Sequence, residues 1–348
     1  MGRTLCAQPV KDRVDAELIA FFDATANSME PDAAELLVPL RAMLTRGKHA
    51  STAFCHNTYR ALGGDDTAAV WPKVCAALEL AHLAMLTHDD VIDRSATRRG
   101  QDAVHRAYAS QHLAAGWTGD ASRYGMDMAL CVGDLLVIQS ETLMDSASPD
   151  TAQAKALMRV MRQMYRDEVY GETLELRAQQ DRVYQPDRCA KVARWKTGRW
   201  IASVSACGAV SAHADPETVA VMDQFGELMG FAYQMRDDLL GVFGDSAVTG
   251  KPTMDDFRDG KPTVLIALAI SQADAAGIET IEELYGKPTL SEDDGDVLRA
   301  VIEESGAVKR VEEMINAHIG KAEELLSAHR AESSDLLALA HAALNRSS

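Results

Sequence analysis

The stretch that decides the fold is ELAHLAMLTHDDVID, residues 79–93, in which apolar residues lead at helical spacing into three aspartates. At about 100° per residue, His82, Asp89 and Asp93 fall within roughly 60° of one another on an α-helix. Unpaired charges do not normally continue a buried apolar face. Because Mg²⁺ takes one or two carboxylates and completes its shell with waters and phosphates, the pattern favours a magnesium site. A helix end that emerges into solvent is the alternative.

The same helical period recurs along the chain, and no sustained alternation of apolar and polar residues predicts strands. Besides a helix over 74–92, the spacing predicts helices at 126–144, 158–179 and 219–240, an apolar segment at 264–270, and amphipathic helices of which one begins near Ser291. No linker or repeat divides the sequence. We therefore predict one all-α domain, a single large helical bundle over residues 31–348, preceded by a less constrained, variable segment at residues 1–30.

Composition excludes several classes of protein. The net charge of −17 over 348 residues argues against a nucleic-acid partner, because binding to a phosphate backbone depends on many basic contacts. The six cysteines form no CxxC pair, so neither a disulfide framework nor a zinc site is predicted. No apolar run reaches 18 residues and no signal peptide opens the chain. We expect a cytoplasmic protein without a membrane span.

A second acidic cluster lies far along the chain, where Gln234, Asp237 and Asp238 follow another apolar segment. Two such clusters would repel each other in one cavity unless cations lay between them. Basic residues accompany both clusters: Lys48 before the first, Arg98 and Arg99 after it, then Lys196, Lys251 and Lys261. In an acidic chain this alternation favours a clamp for Mg²⁺ and diphosphate, although a solvated surface position is the alternative for any one of these cations.

Several longer motifs occur in a fixed order over roughly residues 40–270. They are Gly47-Lys48, ELAHLAMLTHDDVID, DDxxDxxxxRRG (89–100), YGMDMALCVGDLL (124–136), GETLEL (171–176), KTG (196–198), YQMRDDLLGVFGD (233–245) and GKPTMDDFRDGKPT (250–263). Together they resemble the trans-isoprenyl diphosphate synthases, the polyprenyl synthetase family that includes geranylgeranyl diphosphate synthases. The resemblance implies the isoprenoid synthase fold, an all-α bundle around a deep central cavity, commonly as a homodimer.

The resemblance also implies an activity and a role for each matching residue. The activity is condensation of isopentenyl diphosphate with an allylic diphosphate of C5 to C15, giving a longer all-trans prenyl diphosphate. Asp89 and Asp93 would bind two of three Mg²⁺ ions and Asp237 the third, with Asp90 and Asp238 in support and Mn²⁺ as an alternative metal. Arg98, Lys196, Thr197, Gln234, Lys251 and Lys261 would hold the allylic diphosphate. Lys48, His82 and Arg99 would hold isopentenyl diphosphate, and the loop over residues 245–262 would act as a lid.

The chain departs from the family pattern at the first basic motif. The family reads GGKRxRP, whereas residues 46–52 read RGKHAST, so that the arginine expected three places after Lys48 is Ser51. Loss of a bidentate phosphate partner should weaken binding of isopentenyl diphosphate, unless His49, Arg46 or Arg41 compensates.

Two further departures concern acidic positions. Gly241 stands where many family members have a third aspartate of the second motif, which leaves Asp237 intact. Glu172 and Glu175 replace a commoner Gln and Asp. These two glutamates either face the metal site or form a solvated acidic stripe, and the sequence leaves both interpretations open.

Product length in this family is set by positions just before DDxxD, here Ala81, Ala84 and Met85. No aromatic residue stands there, which favours a C20 product, geranylgeranyl diphosphate, with C15 or C25 and longer as alternatives. Met85 also suits ordinary core packing.

Two rival functions remain open from the sequence. A class I terpene cyclase also uses DDxxD with Mg²⁺, but needs an NDxxSxxxE-type motif, and no asparagine here is followed by aspartate. A weakly active or regulatory subunit of a heteromeric synthase is the other rival, kept open by His49 and Ser51. A homodimer is expected, with a heterodimer as the alternative.

Overall fold

The computed structural model describes residues 5–244, 254–329, 336–338 and 341. Sixteen α-helices can be numbered within these residues. They are α1 (Gln8–Ser28), α2 (Pro31–Ala34), α3 (Val38–Arg41), α4 (Ala50–Ala61), α5 (Val70–Ile92), α6 (Val104–Ala114), α7 (Ala121–Asp145), α8 (Thr151–Asp181), α9 (Pro186–Ala193), α10 (Arg199–Ser211), α11 (Pro216–Phe243), α12 (Asp255–Asp259), α13 (Val264–Gln272), α14 (Ala275–Leu284), α15 (Glu292–Glu304) and α16 (Ala307–Ala328). A short 3₁₀ turn covers Glu35–Leu37, and a π-helical turn covers Arg194–Gly198.

Strand structure in the described residues is confined to one hairpin between α5 and α6. Its strands, β1 (Thr97–Arg98) and β2 (Gln101–Asp102), pair antiparallel with Arg98 opposite Gln101. The all-α prediction is therefore confirmed. None of the helices in the described ranges is both long and apolar enough to cross a bilayer.

The chain divides into two compact units. An N-terminal unit contains residues 5–159 with 210–213, and a C-terminal unit contains residues 160–209 with the described residues from 214 onward. The single-domain organisation over residues 31–348 and the deep central cavity stay predictions.

Helix α5 forms the centre of the N-terminal unit and packs against α1, α4, α6 and α7. Its fully buried positions include the small residues Ala76, Ala77, Ala81 and Ala84, which let neighbouring helices approach closely. Helices α6 and α7 also lie close, because a Cβ on Gly125 would fall 2.1 Å from the His105 carbonyl oxygen. The helix that ends in DDxxD is thus supported on several sides.

The first 30 residues are more ordered than the sequence analysis expected. Residues 8–28 form α1, whose face of Val14, Leu18 and Phe22 is buried, and α1 packs against α5. The expectation of a less constrained segment is therefore wrong for this helix, because an apolar residue recurs every fourth position and gives it a face to bury. That the segment is variable in sequence stays a prediction.

In the C-terminal unit, α11 packs against α16 and against the π-helical turn. Side-chain caps fix several helix starts: Asp215 accepts from Thr218 N–H at the start of α11, and Thr263 accepts from Ile266 N–H at the start of α13. Ser291 forms a capping box with Asp294 at the start of α15. The helix start predicted near Ser291 is confirmed, since such caps satisfy backbone N–H groups that the helix itself leaves unpaired.

Candidate active site

The three aspartates at the end of α5 occupy different environments. Asp89 and Asp93 are half-buried, and the Asp93 N–H donates to the Asp89 carbonyl at 2.7 Å. Asp90 is 1% exposed, and its Oδ1 accepts from Arg98 Nε at 2.8 Å and Arg98 Nη2 at 2.5 Å. Burial lowers the pKa of Arg98, but the bond to Asp90 and the charges of the three aspartates more than offset this and raise it. Asp90 therefore holds Arg98 beside the other two carboxylates.

The hairpin after α5 directs its two arginines to different partners. Its two-residue turn is Arg99-Gly100, with φ of 53° and 72°, as the mirror-image turns of tight hairpins require. Arg98 meets Asp90, whereas Arg99 Nη1 donates to the Met43 carbonyl at 2.7 Å. A Cβ on Gly47 would lie 2.9 Å from Arg99 Nη2, so the turn that carries Lys48 lies against Arg99. The structure thus places Arg99 against Gly47, the residue before Lys48, and the predicted isopentenyl diphosphate site stays a prediction.

A buried carboxylate stands behind these basic residues. Glu79 of α5 is 3% exposed and accepts from Thr52 N at 3.1 Å and Thr52 Oγ1 at 3.0 Å. Burial raises the pKa of Glu79, but the positive charges of His49 and Arg99 lower it overall. Burial and the charge of Arg99 lower the pKa of His82 to about 4, so His82 is a neutral imidazole near pH 7.

Glu79 was not among the site residues predicted from the sequence, although its place one turn before His82 on an apolar helix was a usable signal. Ser51 lies at the start of α4 and is 1% exposed. The position of the expected arginine is therefore inside the protein, next to Thr52 and its bond to Glu79.

In the C-terminal unit, Lys196 lies in the π-helical turn, a feature that often marks functional sites. Its Nζ donates to Glu172 Oε2 at 2.5 Å and to Glu175 Oε2 at 2.8 Å. Glu175 is 8% exposed, so the solvated-stripe interpretation of these glutamates is wrong. A Cβ on Gly171 would fall 2.7 Å from Lys196 Cγ and 2.8 Å from Lys196 N, and α8 approaches the turn this closely because residue 171 is glycine.

A hydrogen-bonded series connects the KTG motif to the second acidic cluster. Thr197 Oγ1 donates to Gln234 Oε1, and Gln234 Nε2 donates to Asp238 Oδ1 at 2.8 Å. Asp238 is 6% exposed. Burial, followed by the neighbouring carboxylates of Asp256, Asp237 and Glu175, raises the pKa of Asp238 to about 8. The structure therefore places Lys196, Thr197, Gln234, Asp237 and Asp238 close together, and their roles stay predictions.

Asp256 is a member of this cluster that the sequence analysis did not single out. A Cβ on Gly241 would lie 2.5 Å from Asp256 Oδ2, so the Asp256 carboxylate fills the space beside the position of the absent third aspartate. Lys261 follows closely, because its N–H donates to the Asp256 carbonyl at 3.2 Å. Lys251 and residues 245–253 of the predicted lid lie outside the described residues.

The proposed chain-length positions are all buried in α5. Ala81 and Ala84 are 0% exposed and Met85 is 8% exposed. Burial alone does not separate a tunnel floor from core packing, so their role stays a prediction.

The acidic residues fit a hard divalent cation. No group of three or more His, Cys, Asp or Glu side chains among the described residues forms a ready cage for a metal. Mg²⁺ does not need one, since it binds through one or two carboxylates with waters and substrate phosphates. Burial and the nearby carboxylates of Asp256 and Asp237 raise the pKa of Asp238, and a bound cation would relieve this crowding of negative charge.

An all-α fold with carboxylates at helix ends and basic residues beside them is consistent with the isoprenoid synthase fold. The chain belongs to the polyprenyl synthetase family, whose model matches residues 34–304. It is 33% identical to a geranylfarnesyl diphosphate synthase of Aeropyrum pernix over 75% of this chain and 77% of that protein. It is 30% identical to a geranylgeranyl diphosphate synthase of Mycobacterium tuberculosis over 78% of this chain and 74% of that protein.

A solved structure gives the same fold. The geranylgeranyl pyrophosphate synthase of Corynebacterium glutamicum, complexed with isoprenyl diphosphate and magnesium, matches with a TM-score of 0.90 and 28% identity, over 97% of this chain and 98% of that chain. The predicted family, fold and enzyme class are confirmed. The roles of individual residues, and the prediction that both acidic clusters serve one reaction, are taken up as proposals.

Proposed function

We propose that this chain condenses isopentenyl diphosphate with an allylic diphosphate of C5 to C15 in a Mg²⁺-dependent reaction, with geranylgeranyl diphosphate as the main product. The observation that carries the proposal is the end of α5, where half-buried Asp89 and Asp93 stand one turn apart and Asp90 holds Arg98 beside them. This arrangement offers carboxylates to cations and a guanidinium to the phosphate oxygens. The relatives named for prenyl diphosphate synthesis support the substrates.

The proposed metal-binding residues are Asp89 and Asp93 for two Mg²⁺ ions and Asp237 for a third, with Mn²⁺ as a substitute. Bound Mg²⁺ supplies Lewis acidity and neutralises charge on the leaving diphosphate. Asp90 and Asp238 support their neighbours, the former through Arg98 and the latter through Gln234. Arg98, Lys196, Thr197, Gln234, Lys251 and Lys261 hold the allylic diphosphate, and Lys48, His82 and Arg99 hold isopentenyl diphosphate.

The reaction follows from these positions. The allylic C–O bond breaks, and its electron pair leaves with the diphosphate, where basic residues stabilise the new charge. The allylic carbocation then accepts electrons from the double bond of isopentenyl diphosphate, which forms the new C–C bond. Loss of one proton to the departing diphosphate restores a double bond. Neutral His82 donates one N–H to phosphate without adding a positive charge beside the cation.

Product length is part of the proposal, because the relatives include synthases for C15, C20 and C25 chains. We assign the floor of the chain-binding site to Ala81, Ala84 and Met85, where small or flexible side chains leave room for C20. Met85→Phe should shift the main product towards C15, and Met85→Ala towards chains longer than C20. Unchanged products in both variants would contradict this assignment.

We also propose that the protein forms a homodimer in the cytoplasm. Leu130 and Ile138 on α7 are 45% and 59% exposed, and exposed apolar side chains on one helix suit a protein interface. The six cysteines are free thiols, which fits a reducing compartment.

The second candidate is a weakly active or regulatory subunit, favoured by Ser51 in place of the expected arginine. Incubation of the purified chain with Mg²⁺, isopentenyl diphosphate and dimethylallyl, geranyl or farnesyl diphosphate separates the candidates. Products extended by C5 units support the synthase, activity that appears only with a partner chain supports the subunit, and a cyclic hydrocarbon supports a terpene cyclase. Asp89→Ala should abolish turnover, whereas Asp127→Ala, which removes an exposed carboxylate paired with Arg123 on α7, should not.

A further inference from the structure

Three nearby basic residues could replace the charge of the arginine that is missing at residue 51. They are Arg41, Arg46 and His49, and they differ in how deeply they are buried. Arg41 pairs with Asp23 of α1, and its side chain is 56% exposed. Arg46 is also exposed. The His49 side chain is 0% exposed, and its positive charge lowers the pKa of the buried Glu79 carboxyl. Of these three, His49 alone lies inside the protein.

Both ring nitrogens of His49 face hydrogen-bond acceptors. Nδ1 lies 2.9 Å from the Gly47 carbonyl oxygen, and Nε2 lies 2.8 Å from Asp15 Oδ1. A neutral imidazole carries one N–H and can satisfy one of these acceptors. Only the imidazolium donates to both acceptors at once, so the geometry favours a positively charged ring.

Asp15 is well placed to keep that charge. Its Oδ2 accepts from Lys11 Nζ, which also donates to the Thr45 carbonyl at 2.9 Å. Burial raises the pKa of Asp15, but its bonds to His49 and Lys11 lower it overall. Burial lowers the pKa of His49, but the bond to Asp15, the charge of Glu79 and the bond to Gly47 raise it overall. Both shifts favour the ionised form of the pair.

The charged and titratable groups around His49 come from each neighbouring element. They are Lys11 and Asp15 of α1, Glu79 and His82 of α5, Arg99 of the hairpin, and Arg46 and Lys48 on either side in the chain. His82 is neutral, and Glu79 and Asp15 carry the negative charge. A proton lost from His49 would leave these two buried or half-buried carboxylates less compensated.

The bonds of His49 also fix the backbone that carries Lys48. His49 holds the Gly47 carbonyl, the Leu5 N–H donates to the Lys48 carbonyl at 3.1 Å, and His49 itself has a left-handed φ of 54°. A non-glycine residue in this conformation needs support from its surroundings. The two ring bonds supply it.

We propose that Asp15 and His49 are positioning residues. Asp15 keeps His49 as an imidazolium, and the imidazolium fixes the Gly47-Lys48 turn that binds the diphosphate of isopentenyl diphosphate. The positive charge of His49 also replaces part of the charge of the missing arginine. This inference rests on the proposed function. Loss of the proton at higher pH removes one ring bond and one positive charge. The KM for isopentenyl diphosphate should therefore rise with pH, while the KM for the allylic diphosphate, whose own phosphates titrate in the same range, serves as the internal reference.

The test compares Asp15→Asn with Asp23→Asn, which changes the other ion-paired carboxylate of α1 but at the surface. Asp15→Asn should raise the KM for isopentenyl diphosphate about tenfold, as expected for loss of a charge-assisted hydrogen bond, and leave kcat and the allylic KM within about twofold. Asp23→Asn should change none of these by more than about twofold.

His49→Gln should raise the KM for isopentenyl diphosphate as much as Asp15→Asn does, and the double variant should raise it no further than either single variant. His49→Arg should keep a low KM that no longer rises with pH.

A second measurement does not depend on activity. In protein labelled with ¹³C-histidine, the His49 resonance, identified by its loss in His49→Gln, should titrate above the ordinary histidine pKa and at lower pH in Asp15→Asn. A His49 that titrates below the ordinary value, or an unchanged KM in Asp15→Asn, would overturn the inference. A wild-type chain that extends no allylic primer overturns the proposed function. In that case the His49 resonance still shows whether the ion pair with Asp15 is present. Failure of the proposed function and failure of this inference are therefore distinguishable.

Discussion

Arg98 donates from both Nε and Nη2 to a single carboxylate oxygen of Asp90, which is 1% exposed. Asp90, the second aspartate of the DDxxD motif, is thus hydrogen-bonded to Arg98, whereas Asp89 and Asp93 are half-buried. One short sequence motif therefore contains two kinds of carboxylate with different physical roles.

Asp90 should matter more for stability than Asp93. Removing one partner of a buried ion pair leaves the other uncompensated, so Asp90→Ala should lower the free energy of unfolding by about 3–5 kcal/mol. Asp90→Asn retains an acceptor and should cost about 1–3 kcal/mol. Urea unfolding with a common m-value measures both. Asp93→Asn, at a half-buried position, serves as the control and should cost less than about 1 kcal/mol; an equal loss in both positions would contradict the distinction.

Lys196 should affect one substrate and not the other. Lys196→Ala removes the cation that lies between Glu172 and Glu175. The proposed hydrogen bond from Lys196 to the allylic diphosphate joins charged groups, and such a bond contributes about 1.5–3 kcal/mol. The KM for the allylic diphosphate should therefore rise about 10- to 100-fold. The KM for isopentenyl diphosphate should stay nearly constant. Lys191→Ala, at an exposed position of α9, is the matched control. Equal increases in both KM values would show that Lys196 does not distinguish the substrates.

His82 should make the protein less stable in acid. Burial and Arg99 lower its folded-state pKa to about 4 from an ordinary 6.5, so between these values the unfolded chain binds a proton that the folded chain does not. The stabilisation is complete above pH 6.5 and is lost as pH falls towards 4, by an amount on the order of 3 kcal/mol.

Urea unfolding at several pH values, in wild type and in His82→Gln, isolates this contribution, because other titrating groups are common to both proteins. The free energy of unfolding of the variant should fall less steeply over this range. Parallel curves for the two proteins would rule out the lowered pKa of His82 in the folded state.

Replacing Gly171 with alanine should lower stability and activity, whereas the same change at Gly320 should raise stability. A Cβ at residue 171 would meet the backbone nitrogen and Cγ of Lys196, so Gly171→Ala should destabilise the protein by about 1–3 kcal/mol and reduce activity by displacing Lys196. Gly320 lies within α16 with nothing within 4 Å of its Cβ position. Gly320→Ala should stabilise the protein by about 0.5–1 kcal/mol, and thermal unfolding of both variants tests the contrast.

Periodicity alone predicts the all-α class and the four longest helices of the described residues, because a buried helical face gives the sequence a local apolar period. The helices predicted over 74–92 and 219–240 are confirmed, with ends that differ by a few residues. Asp15 and His49 are 34 positions apart, and no local pattern connects them. Their contact depends on how α1 packs, which is a property of the tertiary structure.

The acidic and basic motifs predict which residue types gather, but not how charge is shared among them. The sequence could not show that Lys196 lies between two glutamates, or that Asp256 belongs with Asp238. Such pairings depend on side-chain distances of a few ångström. Arg98 and Arg99 were predicted only as diphosphate-binding residues. The hairpin that carries them and the left-handed φ of Arg99 were not predicted, because that conformation is set by the turn and not by the residue type.

The space beside Gly241 has a practical meaning for protein engineering. A consensus approach would restore the family's third aspartate there, yet the Asp256 carboxylate already occupies the volume that the new side chain would enter. Gly241→Asp alone would therefore force the Asp256 carboxylate to move, whereas Gly241→Asp together with Asp256→Gly would free that volume for the new side chain. Because the side chains at 241 and 256 would share one volume, an engineering library should vary the two positions together.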